Sequence, residues 1–536
     1  MARQCSIPVP IPCAPTGVST PRAGDLFNLR FSAATQDAQL PADPQTPNND
    51  ETLYPDMSGT YSKCILQQSP GIVNPVAFAD FRTATTSLNP SFAAFQALTL
   101  GGKTTLNGPM GAYAWSYMSA DCSQFGKSVV RAAPELASEL YATELIELYW
   151  CSLLRDTHFS DYPHSAIAID AATELSSRGD YQGPRDPVSG QVTPALLFRG
   201  NFFGERIGPY LSQFLLTPTN FGAAAFPQKY TTYMPGVDYM TDLDSWFRVQ
   251  NGKPTGIVNQ KDPTPRYLHD GRGLAAYTHV DVLYQAYFTA YLVLSSIGAP
   301  LNPGDPYVYH NSKTQNGFGT FGGPDISSVL AQVAKTALNA VWYQKWVVHL
   351  RHRPEAGGGL VHIHKTNILP LPAGKPSISV LDSNAVAKSF DKYHSYLLSQ
   401  PFPEGSPAHP AYPTGHGAVG GACITILKFF FDGEFALNQL VPDAQGDNLL
   451  AWDNSSSTGD PGVLTVNGEL HKLAHNVSFG HGLHGGIHWR TDTDASIQLG
   501  EAVALSFLDD LACTYAEPFK ITITKLDGTA RVITNM

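Results

Sequence analysis

The sequence predicts an all-α protein assembled from packed helices. Three observations lead there. Long apolar stretches repeat at three- and four-residue spacing, runs of alternating β-branched residues are short, and the composition is 43% hydrophobic with only 15% charged residues, as a folded core requires. No repeat of fixed period is present. Helices that are apolar over most of their length must bury against one another, so a bundle architecture follows.

Taken in chain order, residues 1–60 read as an N-terminal arm with little structure of its own, because Pro, Asn and Asp punctuate them (PADPQTPNNDETLYPD). Cys5 and Cys13 lie in its Pro-rich start, where they could staple it. Residues 61–536 read as one large helical domain, with an N-terminal bundle over about 61–300 and a C-terminal bundle over about 301–536. The segments with helical spacing are 134–156, 279–298, 326–350, 385–400, 417–431 and 494–513. Between 185 and 275 the chain is loop-dominated, too long for plain connection, and is expected to line a surface or an interface. FKITITKL (519–526) is the best strand and predicts a small terminal hairpin element.

The charge balance, 34 basic against 45 acidic residues, disfavours general nucleic-acid binding and requires any anion site to be a local basic island. No stretch of 18 apolar residues suggests a membrane span, and the proline-broken N-terminus lacks the apolar core of a secretory signal. The cysteines, at 5, 13, 64, 122, 151, 423 and 513, show no metal-type spacing, so beyond the arm they read as buried structural thiols.

Three short segments carry chemistry. In the first, Lys345 sits near the end of an apolar helix and Arg353 follows just before Pro354, giving a point charge and a planar fork suited to an oxyanion. In the second, His409-Pro-Ala-Tyr-Pro-Thr414-Gly415-His416, the prolines force a non-helical approach to a helix starting near His416. Thr414 is then a natural N-cap, the Gly415 amide can point at an anion, and His416 is placed for acid–base work. In the third, His481-Gly-Leu-His484-Gly-Gly-Ile-His488-Trp-Arg490-Thr-Asp492, His488 and Asp492 are four apart and would share a helix face. Each segment alone also reads blandly, as a basic helix end, a capped helix or a His-rich loop. Their co-occurrence describes a pocket for a tetrahedral oxyanion.

Together the segments resemble the vanadium-dependent haloperoxidases, which share a site pattern with the type 2 acid phosphatases, and the likeness is strongest to the bromoperoxidase branch of algae and cyanobacteria. The eight-residue gap from Lys345 to Arg353, Pro354-Glu355 after the arginine, and a second histidine seven before His416 carry it. So do NNDETLY (48–54), ELYWCSLLRD (147–156), LFRGNFFGERIGPYLSQFLL (197–216) and YTHVDVLYQAYFTA (277–290). The resemblance implies two four-helix bundles with long loop-rich excursions and the cofactor site in the C-terminal bundle. It implies vanadate as cofactor, hydrogen peroxide, a halide (bromide or iodide) and small organic acceptors as substrates, and a homodimer or higher homo-oligomer. Some members hold structural calcium, for which 305–315 is the candidate region. By the same likeness His488 bonds vanadium, and Lys345, Arg353, the Thr414 hydroxyl and the Gly415 amide hold the oxyanion. His416 is the acid–base group, Lys345 polarises the bound peroxide, and His409 lies near the halide. An acid phosphatase using the same residues, or an impaired anion-binding homologue, is the alternative.

Two departures stand out. Thr414 replaces the family's serine, and the family's arginine six residues before the vanadate-binding histidine is missing, with Gly482 in its place. A one-residue insertion near Gly485-Gly486 would bring His481 into the arginine position, with His484 and Arg490 as competitors. The expectation is that protonated His481 replaces the guanidinium.

Overall fold

The structure, a computed structural model, describes residues 20–37, 39–87, 90–114, 116, 118, 125–369 and 377–536. Cys5, Cys13 and Cys122 lie outside them. Of the described cysteines, Cys64, Cys151 and Cys423 are buried free thiols and Cys513 is exposed.

The helix Gly415–Phe430 is the axis of the C-terminal bundle. It is buried along its whole length, because GHGAVGGACITILKFF offers no polar face, and it packs against Gly323–Tyr343, Val466–Phe479 and Arg490–Ala512. The approach to Arg490–Ala512 is close. A Cβ at Gly421 would lie 2.0 Å from the Ile497 carbonyl oxygen, and one at Gly500 would lie 2.1 Å from that of Ala418. Only glycine permits this contact.

A second group of helices gathers on Glu139–Leu153, whose residues from Tyr141 to Ser152 are all buried. Its partners are Ala166–Ser176, Pro354–Thr366 and Asn384–Tyr393. Two of these come from beyond residue 300, so the two groups interleave in sequence where separate halves were expected. Among the described residues the strands form four short antiparallel pairs, the longest being Lys520–Thr524 with Ala530–Thr534, which realises the predicted terminal hairpin.

Several boundaries differ from the sequence expectation. The arm contains a helix, Pro21–Asp37. Residues 185–275 are not wholly loop, holding the helix Leu243–Gln250, the start of Gly271–His279 and a hairpin at 219–226. The 279–298 segment is helical only from Gln285 to Ser296. The 385–400 segment stops at Tyr393, where His394 turns left-handed (φ 55°) and the chain runs on to pair Gln400 with Tyr239. The 326–350 segment is α-helical over Gly323–Tyr343 and then widens into a π turn, Gln344–His349. A second π turn, Gly480–His484, ends the Val466–Phe479 helix.

In the region considered for calcium, Asp305 caps the short helix Pro306–Tyr309. Among the described residues no group of three or more His, Cys, Asp or Glu is gathered to hold a metal ion. No helix among them is long and apolar enough to cross a membrane.

Candidate active site

The two π turns and the start of the Gly415–Phe430 helix converge on one buried pocket. Lys345 leaves the first turn fully buried and donates from Nζ to the carbonyl oxygens of Pro410 (2.9 Å) and Ala411 (2.8 Å). Burial, with the charge of Arg353, holds its amine well below the usual lysine range. Leu350 then takes a left-handed conformation (φ 48°) that ends the turn, and Arg353 precedes the helix Pro354–Thr366.

Arg353 organises the imidazoles. Its Nε donates to the His409 carbonyl (2.9 Å), one terminal nitrogen to the Ile487 carbonyl (2.9 Å) and to His488 Nε2 (2.8 Å), and the other to the His409 ring at Nδ1 (2.9 Å). A guanidinium only donates, so His488 Nε2 presents a lone pair and the ring proton sits on Nδ1. Nδ1 accordingly donates to Asp492 Oδ2 at 3.0 Å. The predicted pairing of His488 with Asp492 is present, but not along a helix face. The helix begins at Arg490, and His488 lies in the approach to it. Burial and the nearby Arg353 hold the His488 imidazole well below its usual range, so the ring is neutral.

Asp492 is the hub behind this ring. It also accepts from the Trp489 amide (3.1 Å) and from Arg351 (2.7 Å), which reaches Glu144 on the other side (2.9 Å). Arg351 additionally stacks over Trp489, 4.6 Å from the ring centre. Sequence reasoning missed Arg351 and Glu144.

Thr414 stands at the N-cap position of Gly415–Phe430 but makes no capping bond, contrary to expectation. Its hydroxyl is buried and without a partner. The first amides of this helix, starting with Gly415, have no helical acceptor. His416 Nε2 bonds Asp281 Oδ1 at 3.0 Å, so Nδ1 is the ring nitrogen not engaged by that carboxylate. Asp281 was also missed, being a lone acid in a loop between helices.

The three residues considered for the place of the missing arginine point in different directions. His481 faces the pocket, its ring 4.0 Å from that of His416 and 5.7 Å from that of His488. Its Nδ1 is buried and unpartnered. His484 turns into the core instead, with Nδ1 3.2 Å from Cys151 Sγ and Nε2 2.8 Å from the Tyr210 hydroxyl. Arg490 is engaged by Glu147 (2.5 Å) and by the Arg199 carbonyl (2.8 Å). His481, His484 and the two residues between them lie in the π turn that ends the Val466–Phe479 helix.

Burial first, then His416 and Arg353, push the His481 imidazole well below its usual range, which works against the protonated form expected there. His409, held neutral by burial and Arg353, rests against Trp342 with ring centres 4.8 Å apart. His481 and Ile487 also line a cavity of about 330 Å³ that carries His279, Phe402 and Glu404 on its walls.

Residues 328–513 match the family model described as the VCPO second helical-bundle domain. A vanadium-dependent bromoperoxidase of Corallina officinalis is 34% identical over 453 residues, 74% of this chain and 75% of that protein. One from Ascophyllum nodosum is 30% identical over 516 residues, 92% of this chain and 89% of its own. The solved homohexameric second vanadate-dependent bromoperoxidase of Ascophyllum nodosum superposes with a TM-score of 0.85 at 28% identity, covering 98% of this chain and 93% of the other.

Proposed function

The chain belongs to the vanadium-dependent haloperoxidase family, and from that premise we propose that its pocket holds vanadate and oxidises bromide or iodide with hydrogen peroxide. The product is hypohalous acid, which halogenates small organic acceptors. By the same likeness the chain assembles as a homo-oligomer, a homodimer or larger; the Ascophyllum relative of known structure is a homohexamer.

The observation that carries this reading is a set of buried polar groups without partners. The Thr414 hydroxyl and His481 Nδ1 have none, the helix-start amides have none in the helix, and the buried Lys345 and Arg353 stand beside them. Leaving buried donors unmade costs about 1–3 kcal/mol each. A tetrahedral oxyanion supplies acceptors and negative charge together, so the residues fit vanadate.

In this reading His488 Nε2 is the ring nitrogen that bonds vanadium, its orientation fixed by Asp492 behind it. Lys345, Arg353, Thr414, the Gly415 amide and His481 hold the oxygens. Bound vanadate supplies a Lewis-acidic centre that makes peroxide electrophilic without a change in metal oxidation state. His416, steadied through Nε2 by Asp281, takes and returns the peroxide proton at Nδ1. Lys345 would place its amine beside the peroxide oxygens, and His409 with Trp342 would form the wall beside the halide. The overall reaction consumes halide, hydrogen peroxide and one proton and yields hypohalous acid and water.

Bromide and iodide oxidation should be measured on vanadate-free protein before and after vanadate is added, with aryl phosphate hydrolysis followed on the same preparation. Oxidation that appears only with vanadate is the expected result. Phosphate ester turnover without it would assign the pocket to phosphatase chemistry, and vanadate binding without turnover would mark an impaired homologue.

A further inference from the structure

The helix Glu139–Leu153 turns one face towards the start of Arg490–Ala512, and two buried carboxylates on that face make different connections. Glu147 grips Arg490, accepting from Nε (2.9 Å) and from a terminal nitrogen (2.5 Å). Glu144, three residues earlier and so beside it on the helix, accepts from the Thr491 amide through Oε1 (2.6 Å) and from Arg351 through Oε2 (2.9 Å). The other terminal nitrogen of Arg351 reaches Asp492 Oδ1 (2.7 Å), and Asp492 Oδ2 accepts from His488 Nδ1 (3.0 Å). We propose that Glu144 is a positioning residue for the His488 imidazole, setting its strength as a donor to vanadium through Arg351 and Asp492. The proposal rests on the reading of His488 as the vanadium ligand.

Charge carries the effect. Each oxygen of the two carboxylates accepts from a group that can only donate there. These groups are the Thr491 and Trp489 amides, the guanidinium, and His488 Nδ1, whose proton is fixed by Arg353 on the opposite nitrogen. Both carboxylates are therefore ionised. Burial would lower the Arg351 guanidinium, yet Glu144 and then Asp492 hold it above the usual arginine range, as befits a cation shared by two anions.

Two anions around one cation leave a net negative charge behind the imidazole. Without Glu144, Arg351 and Asp492 would cancel. All three side chains are buried, so water screens this difference little. A carboxylate left partly free by its arginine accepts more strongly from Nδ1–H and sends electron density to Nε2, the nitrogen assigned to vanadium. Glu147 is a natural control. It is equally buried and paired with a guanidinium at the same helix start, but it bonds Arg490 and Tyr181 instead of the chain that ends on His488.

Vanadate and phosphate separate a positioning role from a structural one, because only vanadate takes a bond from the ring nitrogen. The test compares the full chain with Glu144→Gln and Glu147→Gln. Vanadate and inorganic phosphate affinities are read by equilibrium dialysis, and the His488 Nδ1–H proton resonance is read in vanadate-free protein labelled with 15N-histidine. Glu144→Gln is expected to weaken vanadate about tenfold, to leave phosphate unweakened, and to move the resonance upfield as its hydrogen bond loosens. Glu147→Gln should lower the thermal midpoint too, yet leave both affinities and the resonance near the parent's. Glu144→Asp, which keeps the charge but draws it back from Arg351, should fall between the parent and Glu144→Gln, and it decides alone if the latter does not fold. Vanadate and phosphate weakened together, equal effects from the two glutamine substitutions, or an unmoved resonance would make Glu144 a structural ion pair and overturn the proposal. A parent chain that binds no vanadate overturns the halide reading instead, and the resonance, read without the ion, then decides the positioning by itself.

Discussion

The turn at Gln344–His349 presents an amine to the oxyanion pocket, and the turn at Gly480–His484 presents an imidazole. Both are π turns, and both point one side chain inward and send another elsewhere. They differ in what holds them. The first is fixed from inside the pocket, by Lys345 on the Pro410 and Ala411 carbonyls. The second is fixed from behind, by His484 between Cys151 and Tyr210 and by Arg155, whose Nε donates to the His484 carbonyl (3.0 Å). The lesson is that the two turns bring different chemistry to one pocket. The first leads on to the Arg353 guanidinium, whereas the second holds an imidazole, His481, whose Nδ1 has no partner.

The largest test of this contrast removes the first side's fork. Arg353→Ala strips a donor from His409 and His488 and should cost about 1–3 kcal/mol of stability in denaturant melts. Vanadate affinity should also fall about a hundredfold or more, by equilibrium dialysis. An affinity near the parent value would show that the second side suffices.

The helix feeding the second turn depends on a charged imidazole, unlike the first. Burial alone would lower His475, but Glu205 and Asp494 hold it up to about 9. A raised folded value adds stability that is complete below about pH 6.5 and is lost as pH climbs through about 9, here on the order of 3 kcal/mol. Thermal midpoints at pH 6 and pH 10 should therefore differ more in the parent chain than in His475→Gln. Equal differences in the two would discard the claim.

Smaller still, His481→Ala should weaken vanadate about tenfold, or ~1.4 kcal/mol, with little change in stability since its Nδ1 has no protein partner. His481→Arg, restoring the fork, should recover or exceed the parent affinity if the pocket admits it. The finest distinction comes from Thr414→Val. Removing a buried hydroxyl that has no partner should change stability by less than about 0.5 kcal/mol, while vanadate binding drops about tenfold. A large loss of stability would show that the hydroxyl was serving the helix, not the cofactor.

What could be read from the sequence follows from where the information resides. The Lys345–Arg353, Thr414–His416 and His488–Asp492 groups are local, so residue type and spacing expose them, and the bundle helices betray themselves by periodicity. The π turns have no such signature, because one widened turn does not alter the surrounding apolar pattern. Arg351 finds Glu144 across 207 residues, and Asp281 finds His416 across 135. Such pairings exist only once the helices pack. The premature end at Tyr393 was hidden for a related reason. No glycine or proline marks it, and the competing pull is the bridge from Gln400 to Tyr239. The lowered His481 imidazole was hidden too, since it comes from burial and from His416 and Arg353, which meet it only in the fold.

The missing Cβ atoms at Gly421 and Gly500 reach further than packing. Backbone against backbone leaves the Gly415–Phe430 helix no side-chain cushion along which to slide or roll. Its first amides are thus set by the rigid body behind them, well before any ion comes. Association then resembles a key entering a finished lock, with no closing movement whose free energy must be subtracted from the grip.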